Sequence, residues 1–182
     1  MLAKAVAGSA LEMISDTAPT IGLVESAIGV QAMDAIARTP GVARLAFGAI
    51  DLALDLGLAR SADSALDPVR LQMVIACRSA GLPGPVAGVT TELMDADAVV
   101  EDTRRAMSLG FSAKLCIHPR QVPWVHQALR PDPEEILRAG RIIDADAAAR
   151  GAAMAVDGEM IDAPLVEHAR RVLAAGAEPH QG

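Results

Sequence analysis

Four short apolar, β-branched runs, each followed by a stretch with helical spacing, constrain what this chain can become. Thr20–Glu25 (TIGLVE), Val42–Gly48 (VARLAFG), Val86–Thr91 and Ala113–His118 (AKLCIH) read as buried strands. Ile28–Arg38, Asp67–Ala80, Asp95–Leu109 and Pro119–Leu129 read as helices. Their ends are marked by Ser26 as an N-cap, the turn at Pro40–Gly41, and Asp67 as a cap ahead of Pro68 at the first helical position. Gly81 and Gly110 stand just past two helix ends. Strand–helix alternation at this spacing predicts a parallel sheet, because parallel neighbours need a crossover and the crossovers here are helical.

Two architectures satisfy that pattern, an open doubly wound sheet and a (β/α)8 barrel. The chain has no GxGxxG or GKS phosphate fingerprint, which weakens the nucleotide-binding open sheet. Glu25, Asp51, Glu92 and His118 gather at strand C-terminal ends, the edge where barrels keep their chemistry. The expectation is an α/β fold, an incomplete (β/α)8 TIM barrel over residues 1–130. Met1–Val6 is read as the remnant of a fifth strand. A complete barrel needs eight strands and typically about 250 residues, so roughly three strands would belong before Met1. Residues 131–182 are expected to form a C-terminal helical extension. It comprises a helix over Glu134–Arg150, a hairpin turning at Asp157–Gly158 within Met154–Ile161, and a last helix over Pro164–Ala175. Glu178–Gly182 reads as a loose tail. A piece this small is not expected to bury a core of its own, and should pack on a barrel or a neighbouring subunit.

A net charge of −7 argues against nucleic acid, whose binders neutralise phosphates with Lys and Arg. One Trp, two Phe and no Tyr leave no platform for stacking bases. No run approaches the roughly 18 apolar residues of a membrane helix. Met1–Ala10 carries only Lys4 and no long apolar stretch, so it does not read as a secretory signal, and a cytoplasmic location is expected. Cys77 and Cys116 sit far apart in apolar runs and are expected to be buried small residues, not a disulfide or a zinc site.

Glu25 and Asp51, 26 residues apart (51 − 25), end successive strand units. Neighbouring strands would carry both to one rim, where two hard oxygen ligands suit Mg²⁺; the alternative is a pair of solvated loop acids. Asp55, one turn beyond Asp51, is a helix cap or a surface residue. Gly48–Ala49 let backbone approach a ligand closely, or simply make a βα turn. His118 before Pro119 is a base, a ligand, or an anchor of its own loop. Lys114 would meet phosphate or be solvated. Asp162, in DAP ahead of the last helix, reads first as an N-cap.

Taken together, LVESAIG (Leu23–Gly29), LAFGAIDLALDLGL (Leu45–Leu58), GFSAKLCIHPRQV (Gly110–Val122) and VDGEMIDAPLVEHARRVL (Val156–Leu173) resemble the HpcH/HpaI aldolase superfamily. The resemblance is to its citrate lyase β-subunit and malyl-CoA lyase-like branch. It implies a (β/α)8 barrel with a helical extension, assembled as homo-oligomeric trimers or hexamers. It implies Mg²⁺ held by Glu25 and Asp51, with the amides around Gly48, Ala49, Ile50 and Asp51 holding the carboxylate of a small keto or hydroxy acid. His118 and Pro119 would lie near the CoA or acyl-carrier arm, and Asp162 would act as the acid/base in a neighbouring subunit's site. The implied activity is carbon–carbon cleavage of a 3-hydroxyacyl thioester of the citryl, malyl or citramalyl type. A class II pyruvate aldolase of the HpaI branch fits the Asp157–Pro164 ending less well. The chain departs from the pattern at Ile50, where an acid is usual, and at Ala87, where Asp is common. The family's early-strand Arg is absent, and MLAKAV has Ala3 in place of Pro. The expectation is therefore a weakly active or inactive chain, the alternative reading being a non-catalytic structural subunit.

Overall fold

The computed structural model describes residues 18–59, 62–149 and 154–177. The strand expected at Met1–Val6, Arg150 at the end of the expected helix, and the tail Glu178–Gly182 lie outside the described residues. The chain divides into two units, Met1–Leu129 and Arg130–Gly182. None of the described helices is long and apolar enough to cross a membrane.

In the first unit, β1 (Thr20–Val24), β2 (Val42–Phe47), β3 (Val86–Ala87) and β4 (Ala113–Lys114) pair in the order β1-β2-β3-β4, every pair parallel. Order that follows the sequence without reversal is the winding of a barrel wall. A doubly wound sheet reverses its order at a switch point. Among the described residues the wall has four strands and does not close. β3 and β4 are shorter than the runs Val86–Thr91 and Ala113–His118 suggested, because side chains take over carbonyls beyond the ladder. Lys114 Nζ donates to Gly88 O at 2.8 Å and Gln121 Nε2 to Thr90 O at 2.9 Å.

Alternation sorts the strand residues between two faces. Val24, Leu45, Phe47 and Ala87 pack with Phe111 against the helices, in a cluster that includes Met33, Ile36, Leu52, Met73 and Cys77. Leu23, Ala46 and Val86 form a second cluster with Ile21, Ala113 and Leu115 on the opposite face, the interior side of a barrel wall. Helix α1 (Ala27–Gln31) and helix α2 (Met33–Arg38) correct the single helix expected over Ile28–Arg38. The break at Ala32 lets the second piece bury Met33, Ile36 and Ala37 together. Helix α3 (Ala49–Asp55) forms where only a turn was read. Helix α4 (Asp67–Ser79), helix α5 (Ala96–Ser108) and helix α6 (Gln121–Leu129) complete the unit. Asp95, read only as the first residue of its helix, is the N-cap of α5 and accepts from the Ala98 N–H at 3.0 Å.

The second unit consists of helix α7 (Pro133–Ala149), the antiparallel hairpin β5 (Met154–Val156) and β6 (Glu159–Ile161), and helix α8 (Ala163–Ala177). Asp157 (φ 55°) and Gly158 (φ 82°) both adopt positive φ, the requirement of a type I′ turn. Contrary to expectation the unit has a buried cluster of its own. Ala139 and Ile142 of α7 meet Val166, Ala169 and Val172 of α8, because two facing helical stripes cover each other. Arg138–Glu159 and Arg141–Asp157 ion pairs tie the hairpin to α7.

Asp67 is not the cap that the sequence suggested. A 3₁₀ turn at Asp63–Leu66 precedes it, Leu66 occupies the cap position, and the Asp67 carboxylate instead accepts from Arg70 at 2.9 Å and Arg105 at 2.6 Å. Asp63 bridges the same two guanidiniums, and Arg70 lies 5.1 Å above the Phe47 ring. Burial alone would raise the Asp63 carboxyl, but Arg70 and Arg105 outweigh it and hold the group below the ordinary aspartate range. A carboxyl depressed in the folded state stabilises at pH above its unfolded value, and that contribution fades as pH falls through the folded one. In urea unfolding, Asp63→Asn is therefore expected to lose about 1 kcal/mol at pH 7, a figure discounted for the solvent that reaches Asp63. The difference from the parent should shrink only below the ordinary aspartate range.

Candidate functional site

Glu25 follows β1 directly and is 8% exposed. Strand alternation sets it on the face of Ile21 and Leu23. The Gly48 N–H donates to Val24 O at 2.9 Å, carrying the β1–β2 pairing one residue beyond the ladder and bringing Gly48 beside Glu25. A Cβ on Gly48 would fall 2.4 Å from Glu25 Cβ and 3.1 Å from Glu25 Oε2. Only glycine leaves room for the Glu25 side chain to lie along this backbone.

Gly48 is also the N-cap residue of α3. The Leu52 N–H donates to Gly48 O at 3.0 Å, so the amides of Ala49, Ile50 and Asp51 precede that intrahelical bond and belong to the helix's open N-terminal turn. Asp51 is exposed in this first turn. Glu25, Gly48, Ala49, Ile50 and Asp51 therefore share the C-terminal edge of two paired strands. Asp55, at the other end of α3, accepts from the Ala27 N–H at 2.7 Å. Ser26 caps α1 by accepting from the Gly29 N–H at 3.2 Å.

The next two strand ends are stitched by buried polar groups that the sequence did not reveal. Lys114, expected to be solvated or to meet phosphate, has a side chain only 2% exposed and pairs with Asp102 at 2.6 Å. Asp102 also accepts from the Thr90 hydroxyl at 2.6 Å. Gln121, 1% exposed, donates to Thr90 O and accepts from the Ile117 N–H at 3.0 Å, joining the β3 and β4 loops. The available signal was a lysine inside an apolar strand and a glutamine opening a helix. His118 anchors its own loop, with Nδ1 accepting from the Arg120 N–H at 3.1 Å, and Pro119 beside it is exposed. Cys77 is buried, whereas Cys116 is only partly so; burial pushes both thiols up. In the second unit the exposed Asp162 caps α8, accepting from the Leu165 N–H at 2.9 Å.

On the helix side of the sheet lies a cavity of about 770 Å³, floored by Phe47, Ala87 and Phe111 and bordered by Arg70, Arg105 and Lys114. Glu25 and Asp51 are not among its lining residues. No group of three or more His, Cys, Asp or Glu side chains forms a metal cage among the described residues. A pair of carboxylates suits Mg²⁺ nonetheless, since that ion keeps most of its octahedral positions for water and substrate oxygens. The hard-oxygen donor set of Glu25 and Asp51 at this strand edge fits such an ion.

The Gly48 contact is testable in the apo chain. Gly48→Ala is expected to cost about 1–3 kcal/mol in urea unfolding, the usual penalty of overpacking. Adding Glu25→Gly, which removes the opposing Cβ, should return at least about 1 kcal/mol as a non-additive coupling. Strict additivity of the two changes would show that the contact is not the source of the loss.

Residues 10–119 match the HpcH/HpaI aldolase/citrate lyase family. The citrate lyase subunit beta-like protein of Mycobacterium tuberculosis is 34% identical over 164 residues, covering 87% of this chain and 59% of that relative. This chain thus spans less than two thirds of the relative's length. The crystal structure of CitE from M. tuberculosis in complex with magnesium, acetoacetate and coenzyme A aligns with a TM-score of 0.79 at 30% identity, over 96% of this chain and 67% of that one. A citrate lyase beta subunit from the same organism, complexed with oxaloacetate and magnesium, aligns with a TM-score of 0.61 at 30% identity, over 72% of this chain and 60% of that one. The four-stranded parallel wall with its helices shares their barrel-like α/β fold. The matched stretch covers more than half of the 182 residues, and the chain belongs to the HpcH/HpaI aldolase/citrate lyase family.

Proposed function

We propose that this chain carries the metal- and carboxylate-binding part of a carbon–carbon lyase site for a 3-hydroxyacyl thioester of the citryl, malyl or citramalyl type. The observation that carries the reading is the Glu25–Gly48 packing, with Asp51 in the first turn of the helix that Gly48 caps. Glu25 and Asp51 would hold Mg²⁺. The amides of Ala49, Ile50 and Asp51 would receive the substrate carboxylate. Bound magnesium supplies a Lewis acid that lowers the pKa of the substrate hydroxyl. His118 and Pro119 would border the arm of CoA or of an acyl carrier. Relatives crystallised with magnesium, acetoacetate, coenzyme A and oxaloacetate support this ligand class.

Cleavage requires a proton to leave the substrate hydroxyl and the adjacent C–C bond to break toward the thioester, forming its enolate. The enolate carbon must then be protonated. Asp162 would serve as the acid/base group in a neighbouring subunit of a homo-oligomer. Its Oδ1 caps α8, so the proton work falls to Oδ2. The enolate also needs a cation or fixed donors. The one arginine within the described strands, Arg44, sits at the opposite end of the sheet, bonded to Gly84 O and Ser112 Oγ. Lys114 is already paired with Asp102. Weak turnover is therefore expected when the chain is assayed alone.

Magnesium titration by calorimetry tests the metal step, and Glu25→Gln or Asp51→Asn should each weaken binding at least about tenfold. A titration with no binding, or one unchanged in both variants, would overturn the metal assignment. Malyl-CoA or citramalyl-CoA cleavage in the presence of Mg²⁺ tests the chemistry, and rapid turnover by the 182-residue chain would overturn the expected weakness.

A further inference from the structure

Asp55 closes α3, one helical turn after Asp51. A carboxylate in the last turn of a helix faces the negative end of the helix dipole, so the local sequence does not favour it there. Its partner lies 28 residues away: Oδ2 accepts from the Ala27 N–H at 2.7 Å. Ala27 opens α1, and its amide is one of the N-terminal donors that a helix leaves unsatisfied. Ser26 supplies the ordinary local cap for that same helix through Gly29. The Asp55 bond adds something different, a tether from α1 to the helix that carries Asp51.

Glu25 lies between the two fastenings. Before it, Val24 O accepts from the Gly48 N–H; after it, Ala27 is held by Asp55. Both fastenings run to the Gly48–Asp55 segment, and Gly48 itself packs on the Glu25 side chain. The loop bearing Glu25 is thus pinned at both ends to the helix bearing Asp51. We infer that Asp55 is a positioning residue: it sets the spacing between Glu25 and Asp51 by latching the Glu25–Ala27 loop onto α3, so that both carboxylates meet one divalent cation. The inference rests on the metal reading above. Groups that orient metal ligands commonly change affinity by 10–100-fold when lost.

The test uses the full chain with Mn²⁺ as a spectroscopic substitute for Mg²⁺, read by electron paramagnetic resonance, together with amide hydrogen exchange at Ala27. Asp55→Ala should speed exchange at Ala27 and weaken Mn²⁺ binding about tenfold or more. Asp55→Asn keeps an oxygen acceptor and should stay within about threefold of the parent in both readouts. Ser26→Ala removes the other cap of α1 without touching the tether, and should leave Mn²⁺ affinity within about twofold. If Asp55→Ala and Ser26→Ala weaken binding equally, Asp55 is only a helix cap and the inference fails. If Asp55→Asn loses as much as Asp55→Ala, the charge of Asp55 matters and not its latch, and the inference fails again. An unsubstituted chain that binds no Mn²⁺ defeats the metal reading itself. Normal binding by Asp55→Ala defeats the latch alone.

Discussion

The parallel register that sets Val24 beside Phe47 governs both the core and the strand ends. Side chains alternate along a strand, so a slip of one residue would exchange the two faces of β1. Val24 would leave the helix-side cluster, and Glu25 would be driven into it as an uncompensated carboxylate. The apolar packing of Val24 with Leu45 and Phe47 therefore also sets Glu25 against Gly48. One ladder serves stability and the candidate site together, and neither can shift without the other.

Farther along the edge the fold uses buried polar groups in place of longer strands. Lys114, Asp102, Thr90 and Gln121 satisfy one another and the carbonyls of Gly88 and Thr90. Buried polar networks are favourable only when their members are paired, and these pairings hold the β3 and β4 loops in defined positions. The Arg70–Asp63–Arg105–Asp67 cluster does the equivalent work between the 3₁₀ turn, α4 and α5. The loops that follow β3 and β4 are thereby held by paired polar groups, the kind of support that a precisely placed site requires.

Much of this was legible in the residues. Apolar runs and helical spacing identified the four strands, most of the helices and the parallel pairing, since only local pattern and crossover geometry were involved. The barrel is favoured over an open sheet by the polar residues at strand ends and the missing phosphate fingerprint. Ser26 announced a helix start through a hydroxyl close to the amide it caps. Asp162 behaves the same way at α8. Misreadings cluster where a distant partner intervenes. Asp67 has the local signature of a cap, yet Arg105, 38 residues away, and Arg70 draw its carboxylate elsewhere. Lys114 has the signature of an exposed edge lysine, yet Asp102 makes its burial tolerable. The second unit's cluster depended on how two amphipathic helices face each other, which no single helix discloses.

The amino-acid order by itself determined the alternation of strand and helix, the acids at strand ends, and the glycine at position 48. Those features arise from backbone and side-chain preferences that act within a few residues. Tertiary structure alone decided that Gly48 must make room for Glu25, that Asp55 reaches Ala27, and that Lys114 is sealed behind Asp102. Such contacts join residues tens of positions apart. Their geometry exists only after the parallel register has brought the strand ends side by side.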